Sequence, residues 1–171
     1  IEEFKTRDKE DYLSGNQIDN IIYTSNDTYW FQTYYSLIRL DRKTNSITRF
    51  NEFQKLFLMN RDKHGTLFII KDSNCIYYFH EKEGVFKKIN VTGIPISDVI
   101  TFFFDNNNRM WIMMKGYNRC YDLQLDPVTK NITLVLQKSA LDHHTPLIYC
   151  FYEEEAVYYV DKEYNLYTFY F

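Results

Sequence analysis

Four stretches of this chain say nearly the same thing. They are Ile22-Tyr-Thr-Ser-Asn-Asp-Thr-Tyr-Trp30, Phe57-Leu-Met-Asn-Arg-Asp62-Lys-His-Gly-Thr-Leu-Phe68, Thr101-Phe-Phe-Phe-Asp105-Asn-Asn-Asn-Arg-Met-Trp111, and a looser Leu147-Ile-Tyr-Cys-Phe-Tyr-Glu-Glu-Glu-Ala-Val-Tyr158. Each is an apolar run, a polar turn of Asp, Asn, Gly or Glu, and a second apolar run opening on an aromatic. The aromatics Trp30, Phe68, Trp111 and Tyr158 stand 38, 43 and 47 residues apart. Short strands recurring at roughly 40 to 50 residues are the signature of β-propeller blades. The expected fold is therefore all-β, about four blades of four antiparallel strands each, within one domain spanning 1–171.

The blades run approximately over residues 18–50, 56–89, 99–136 and 147–171. The first is Ile22 to Trp30, Leu37-Ile-Arg-Leu-Asp41 and Ser46-Ile-Thr-Arg-Phe50, with turns at Tyr34-Tyr-Ser36 and Arg42-Lys-Thr-Asn45. Two further copies repeat that order, and the last stops after three strands. Residues 3–6, with Phe4 placed like Phe50 and Phe86, supply an outer strand for it. This count permits a closed four-bladed ring or a piece of a longer array. Continuous apolar inner strands such as Thr101 to Phe104 and Ala156 to Val160 favour the piece, because a strand wet on one side alternates. A part-ring exposes two blade faces, so a homodimer through those faces is an expected assembly.

Composition narrows the function. Sixteen Tyr and 14 Phe among 171 residues suit pleated surfaces. Only 5 Gly means that Asn and Asp must make many turns. A net charge of −3 leaves no footprint for nucleic acid. No run approaches the roughly 18 apolar residues of a membrane span, so no membrane insertion is expected of this segment. The chain opens on Ile1-Glu-Glu without Met and reads as an excised segment.

The repeat resembles that of two-component regulator propellers, Asp-x-x-Gly-x-Leu-Trp-Ile-Gly-Thr, a turn, then Gly-Leu-x-Arg-Tyr-Asp. The matching stretches are Trp30-Phe-Gln-Thr33 with Leu37-Ile-Arg-Leu-Asp41, Asp62 to Phe68, and Asp105 to Trp111 with Ile112. Gln32 and Ser36 stand where that pattern has Gly. The resemblance implies the periplasmic sensor region of a Bacteroidetes hybrid two-component system, with oligosaccharides as ligands and histidine kinase activity elsewhere in the parent. It carries no binding residue onto this chain.

Candidate ligand contacts come instead from the rim loops, where a rigid scaffold presents variable side chains. Tyr34, Tyr35, Tyr117 and Tyr164 lie there, each offering a flat apolar face and a hydroxyl that suit a sugar ring. No catalytic residue, metal ligand or cofactor is expected. Cys75, Cys120 and Cys150 match no metal spacing, and adjacent His143 and His144 point apart along an extended chain. Asp105 to Arg109 is oxygen-rich but lacks the Gly and closing Glu of a calcium loop. Asp62 to Thr66 spaces its Asp and Gly unlike a sialidase Asp-box, and Glu153-Glu-Glu155 sits at a hairpin tip where carboxylates are solvated. Two alternatives stand beside a sensor. A glycan lyase or hydrolase needs charged residues converging on the channel, whereas the inner strands at 21–23, 57–59 and 101–104 are nearly charge-free. The other is a generic protein-interaction scaffold.

Overall fold

A computed structural model describes residues 18–24, 27–55, 57–71, 75–89, 99–114, 117–125, 132–136, 147–153, 156–161 and 163–170. Within these, the side chains at 117–120, 125, 147–153, 157, 159, 161 and 169–170 are not described. Residues 3–6, His143, His144 and the tip residues Glu154 and Glu155 lie outside the described set, as do the side chains of Cys120, Cys150 and Glu153. The described residues are strands and turns throughout, in two compact units, Ile1–Phe57 and Leu58–Phe171.

The first unit holds one sheet in the order β1 (Asn20–Thr24), β2 (Thr28–Gln32), β3 (Leu37–Asp41), β4 (Ser46–Phe50), every neighbour antiparallel. Burial alternates along β2: Thr28, Trp30 and Gln32 are buried while Tyr29 and Phe31 are half-buried. That is the pattern of a sheet packed mainly on one face. Trp30 anchors the packed face, 5.7 Å from the Phe50 ring and beneath the Arg39 guanidinium. Phe53 and Phe57, 5.9 Å apart, are buried as well. On the other face Tyr23 meets Tyr29 at 5.0 Å. The inner strand β1 is open to water at Ile21 and Tyr23, which are 54 % and 44 % exposed.

The second unit holds three sheets. One is β5 (Leu58–Arg61), β6 (Leu67–Lys71), β7 (Cys75–His80), β8 (Val85–Ile89); the next is β9 (Val99–Phe104), β10 (Arg109–Met114), β11 (Tyr117–Leu125), β12 (Ile132–Leu136). The last has three strands, β13 (Leu147–Glu153), β14 (Ala156–Asp161) and β15 (Leu166–Tyr170). All pair as sequential antiparallel hairpins, the strand order of propeller blades. Innermost strand meets innermost strand, β9 touching both β5 and β13, and outermost β8 touches β12. Successive sheets of this unit therefore stack face on face.

Stacking explains why β6 and β10 are the most continuously buried of the described strands. Leu67 to Ile70 and Met110 to Met114 are buried without interruption, so both faces of each strand lie out of water. Phe68, Ile70, Ile76 and Tyr78 of one sheet join Phe102, Phe104, Met110, Ile112 and Met114 of the next in one cluster. Phe68 and Phe104 are in ring contact at 4.9 Å, and the side-chain amide of Asn60 donates to the Phe102 carbonyl at 3.0 Å. Truncating a ring such as Phe68 costs about 3–5 kcal/mol.

The scarcity of glycine is met at the turns. Gly65 and Gly84 have positive φ, and Asp27, Asn45, Lys55, Asn108 and Tyr164 adopt the same left-handed backbone. Asn45, just before β4, takes the place that Gly84 takes before β8. Asn108 likewise matches Gly65.

Candidate ligand-binding surfaces

Among the described residues two kinds of hairpin end are built differently. The turns joining first to second strands at 62–66 and 105–109 are closed around a buried aspartate. Asp62 Oδ1 accepts from the backbone N–H of His64 and Thr66, at 3.0 and 2.7 Å. Asp105 Oδ1 accepts from Asn107 and Arg109 N–H, both at 2.9 Å, and its Oδ2 from Arg109 Nε at 2.7 Å and Trp111 Nε1 at 3.0 Å. The carboxylate thereby organises the turn and fixes the indole that opens the next strand. Between the two blades, Lys63 N–H donates to Asn108 Oδ1 at 2.9 Å, and Asn108 Nδ2 reaches Asp62 Oδ2 at 3.4 Å. Asp62 and Asp105 are thus folding residues, and their oxygens are occupied by donors.

The second-to-third-strand turn of the first blade is locked by hydroxyls instead. Thr33 Oγ1 donates to the Ser36 carbonyl at 3.0 Å and accepts from Ser36 N–H at 3.1 Å. Arg49 Nε donates to Ser36 Oγ at 3.0 Å, and the Lys55 N–H donates to the Tyr34 carbonyl at 2.7 Å. Gln32 is buried beside it, its amide donating to the Phe57 carbonyl at 2.8 Å. Of the two residues that replace glycines of the repeat, Gln32 ties its amide to the Phe57 carbonyl and Ser36 its hydroxyl to the Arg49 side chain.

On that fixed turn Tyr34 and Tyr35 project outward, 52 % and 53 % exposed, with ring centroids 5.1 Å apart and planes at 80°. Neither hydroxyl has a hydrogen-bond partner among the described residues. The pair forms an open aromatic corner. Tyr164 stands in the turn before β15 with φ of 63° and is 84 % exposed. Tyr117 opens β11 opposite Met114, and its side chain lies outside the described residues. Of the four tyrosines, Tyr34 and Tyr35 are brought together, and Tyr164 belongs to the other compact unit.

Sequence reasoning did not find the cleft of the second unit. It has a volume of about 770 Å³ and is lined by residues 60–63, where β5 runs into its turn, and 101–106, along β9 and its turn. Its signal in the sequence was slight: Arg61 and Lys63 flank the turn aspartate.

No protein-family model and no curated protein matches the sequence. Solved structures do. The extracellular domain of the hybrid two-component system BT4673 from B. thetaiotaomicron matches with a TM-score of 0.55 and 17 % identity, over 88 % of this chain and 20 % of that one. That of the hybrid two-component system BT3049 from the same organism matches with a TM-score of 0.56 and 14 % identity, over 91 % and 20 %. The computationally designed Ika4 protein matches with a TM-score of 0.60 and 12 % identity, over 90 % of this chain and 91 % of that one. The chain spans about a fifth of the length of the sensor ectodomains it matches. Its blades share the fold of those extracellular sensor domains.

Proposed function

We propose that this chain belongs to the ligand-sensing ectodomain of a hybrid two-component sensor, on the periplasmic side of the membrane, and that it binds an oligosaccharide without catalysis. Kinase activity then resides elsewhere in the parent protein. The shared fold with extracellular sensor domains supports the sensing role. The observation that carries the ligand class is the Tyr34–Tyr35 corner, two free phenols held perpendicular on a rigid turn. A sugar lays its C–H face on one ring while its hydroxyls meet the phenolic oxygens. Non-catalysis rests on the aspartates nearest the cleft, whose oxygens are committed to N–H donors and so are poor candidates for proton transfer.

A glycan array probed with the 171-residue chain tests the proposal. Binding to an oligosaccharide that disappears in Tyr34→Ala/Tyr35→Ala supports it. An array without signal, together with capture of a defined protein partner, favours the scaffold reading, and turnover of any bound glycan favours the enzyme. A second role attaches to the face carrying Ile21 and Tyr23, whose exposure suits a homodimer. Light scattering checks it: a dimer mass that falls to one chain in Ile21→Glu/Tyr23→Glu is the expected result, and a monomer mass for the unaltered chain rejects it.

A further inference from the structure

The cleft between β5 and β9 has an asymmetric charge. Asp62 and Asp105, its two carboxylates, are buried and accept hydrogen bonds from the turns, and Asp105 is also paired with Arg109. Arg61 and Lys63, on either side of Asp62, are exposed at the cleft, and their charged ends enter no ion pair among the described residues. Along β9 the cleft is bounded by Thr101 to Phe104, and the Phe102, Phe103 and Phe104 rings are buried. Its two edges are tied together by Asn60 on the Phe102 carbonyl and by Asn108 between the turns, so the shape exists before anything enters. Two cations that pair with none of the described residues, on a prebuilt cavity with its two aspartates turned inward, make a recognition site for an oxyanion. Arginine supplies a planar fork that fits a carboxylate or sulfate, and lysine a mobile point charge.

We infer that the cleft lined by residues 60–63 and 101–106 binds a small organic anion carrying a carboxylate or sulfate group, held by Arg61 and Lys63. This site is separate from Tyr34 and Tyr35 and stands whether or not they bind a sugar. Titration calorimetry on the 171-residue chain tests it, with glucuronate and inorganic sulfate as probes and glucose as the neutral control. At least one anion binds, and glucose does not. Glucuronate alone assigns a carboxylate, and sulfate alone assigns a sulfate. In Arg61→Ala/Lys63→Ala the affinity falls about ten- to hundredfold, as loss of charge-assisted hydrogen bonds requires. The exchange Arg61→Lys/Lys63→Arg, which keeps both charges, retains measurable binding, and added salt weakens the unaltered protein's affinity. The inference is overturned if neither anion binds, if glucose binds as well as glucuronate, if the alanine pair binds like the unaltered chain, or if the charge-keeping exchange loses as much as the alanine pair.

Discussion

The two kinds of hairpin end differ in where their polar atoms are spent. At the turns around Asp62 and Asp105 the aspartate oxygens and the Asn108 amide are spent inward, on backbone N–H, on the Trp111 indole or across to the neighbouring blade. At the turn holding Tyr34 and Tyr35, small hydroxyls do the bracing and the large side chains are left outside. The repeated residues are thus the ones that build the blade, and residues outside the motif are the ones offered to solvent. Repetition marks structure here, and its absence marks candidate function.

Breaking the first kind of turn has the largest effect. Asp105→Ala takes the acceptor from two backbone N–H groups, from the buried Trp111 indole and from the partly exposed Arg109 guanidinium, and is expected to cost about 3 kcal/mol of stability in urea unfolding. Next comes Asn108→Ala, which removes the inter-blade tie and forces a β-carbon other than Asn's into a left-handed backbone, for about 1–2 kcal/mol. Asn108→Gly keeps the backbone at ease and loses only the tie, so its smaller cost separates the two contributions. In contrast, Tyr34→Ala and Tyr35→Ala shift stability by no more than about 0.5 kcal/mol, as exposed substitutions do. A loss there comparable to that of Asp105→Ala erases the distinction between the two ends.

The smallest effect is one of pH. The Lys87 ammonium donating to Glu83 holds its carboxyl below its ordinary value of 4.5. A group depressed in the folded state contributes stability above its unfolded value, and that contribution is lost as pH falls through the folded value. Lys87→Met should therefore raise the Glu83 titration midpoint, followed by carboxyl NMR, towards 4.5. An unmoved midpoint removes the lysine as the cause.

What the sequence made legible follows the same division. Periodic aromatics and Asp-x-x-Gly turns announced the strands, because strand period and turn chemistry are local properties. Asn108 was readable as a turn residue for that reason. Its reach to Lys63 was not, since that bond joins residues 45 apart in the chain. The cleft was hidden likewise: Arg61 acquires a partner wall only when β9 lies beside β5. That Ile21 and Tyr23 are the apolar residues left open to water was not legible, because an apolar strand reads alike whether one face is covered or two. Gln32 and Ser36 looked like erosion of a glycine pattern, and only coordinates show the Phe57 carbonyl and Arg49 that they engage.

The tie between Lys63, Asn108 and Asp62 bears on how these blades come apart. Arrays of like modules open at their weakest seam, with neighbours coupled through their shared boundary. Amide protons of β6 and β10 should then exchange with deuterium in one concerted event, with Asn108→Gly splitting it into two. Such a seam would let strain arriving at one sheet be felt in the next, the mechanical quality a relay needs.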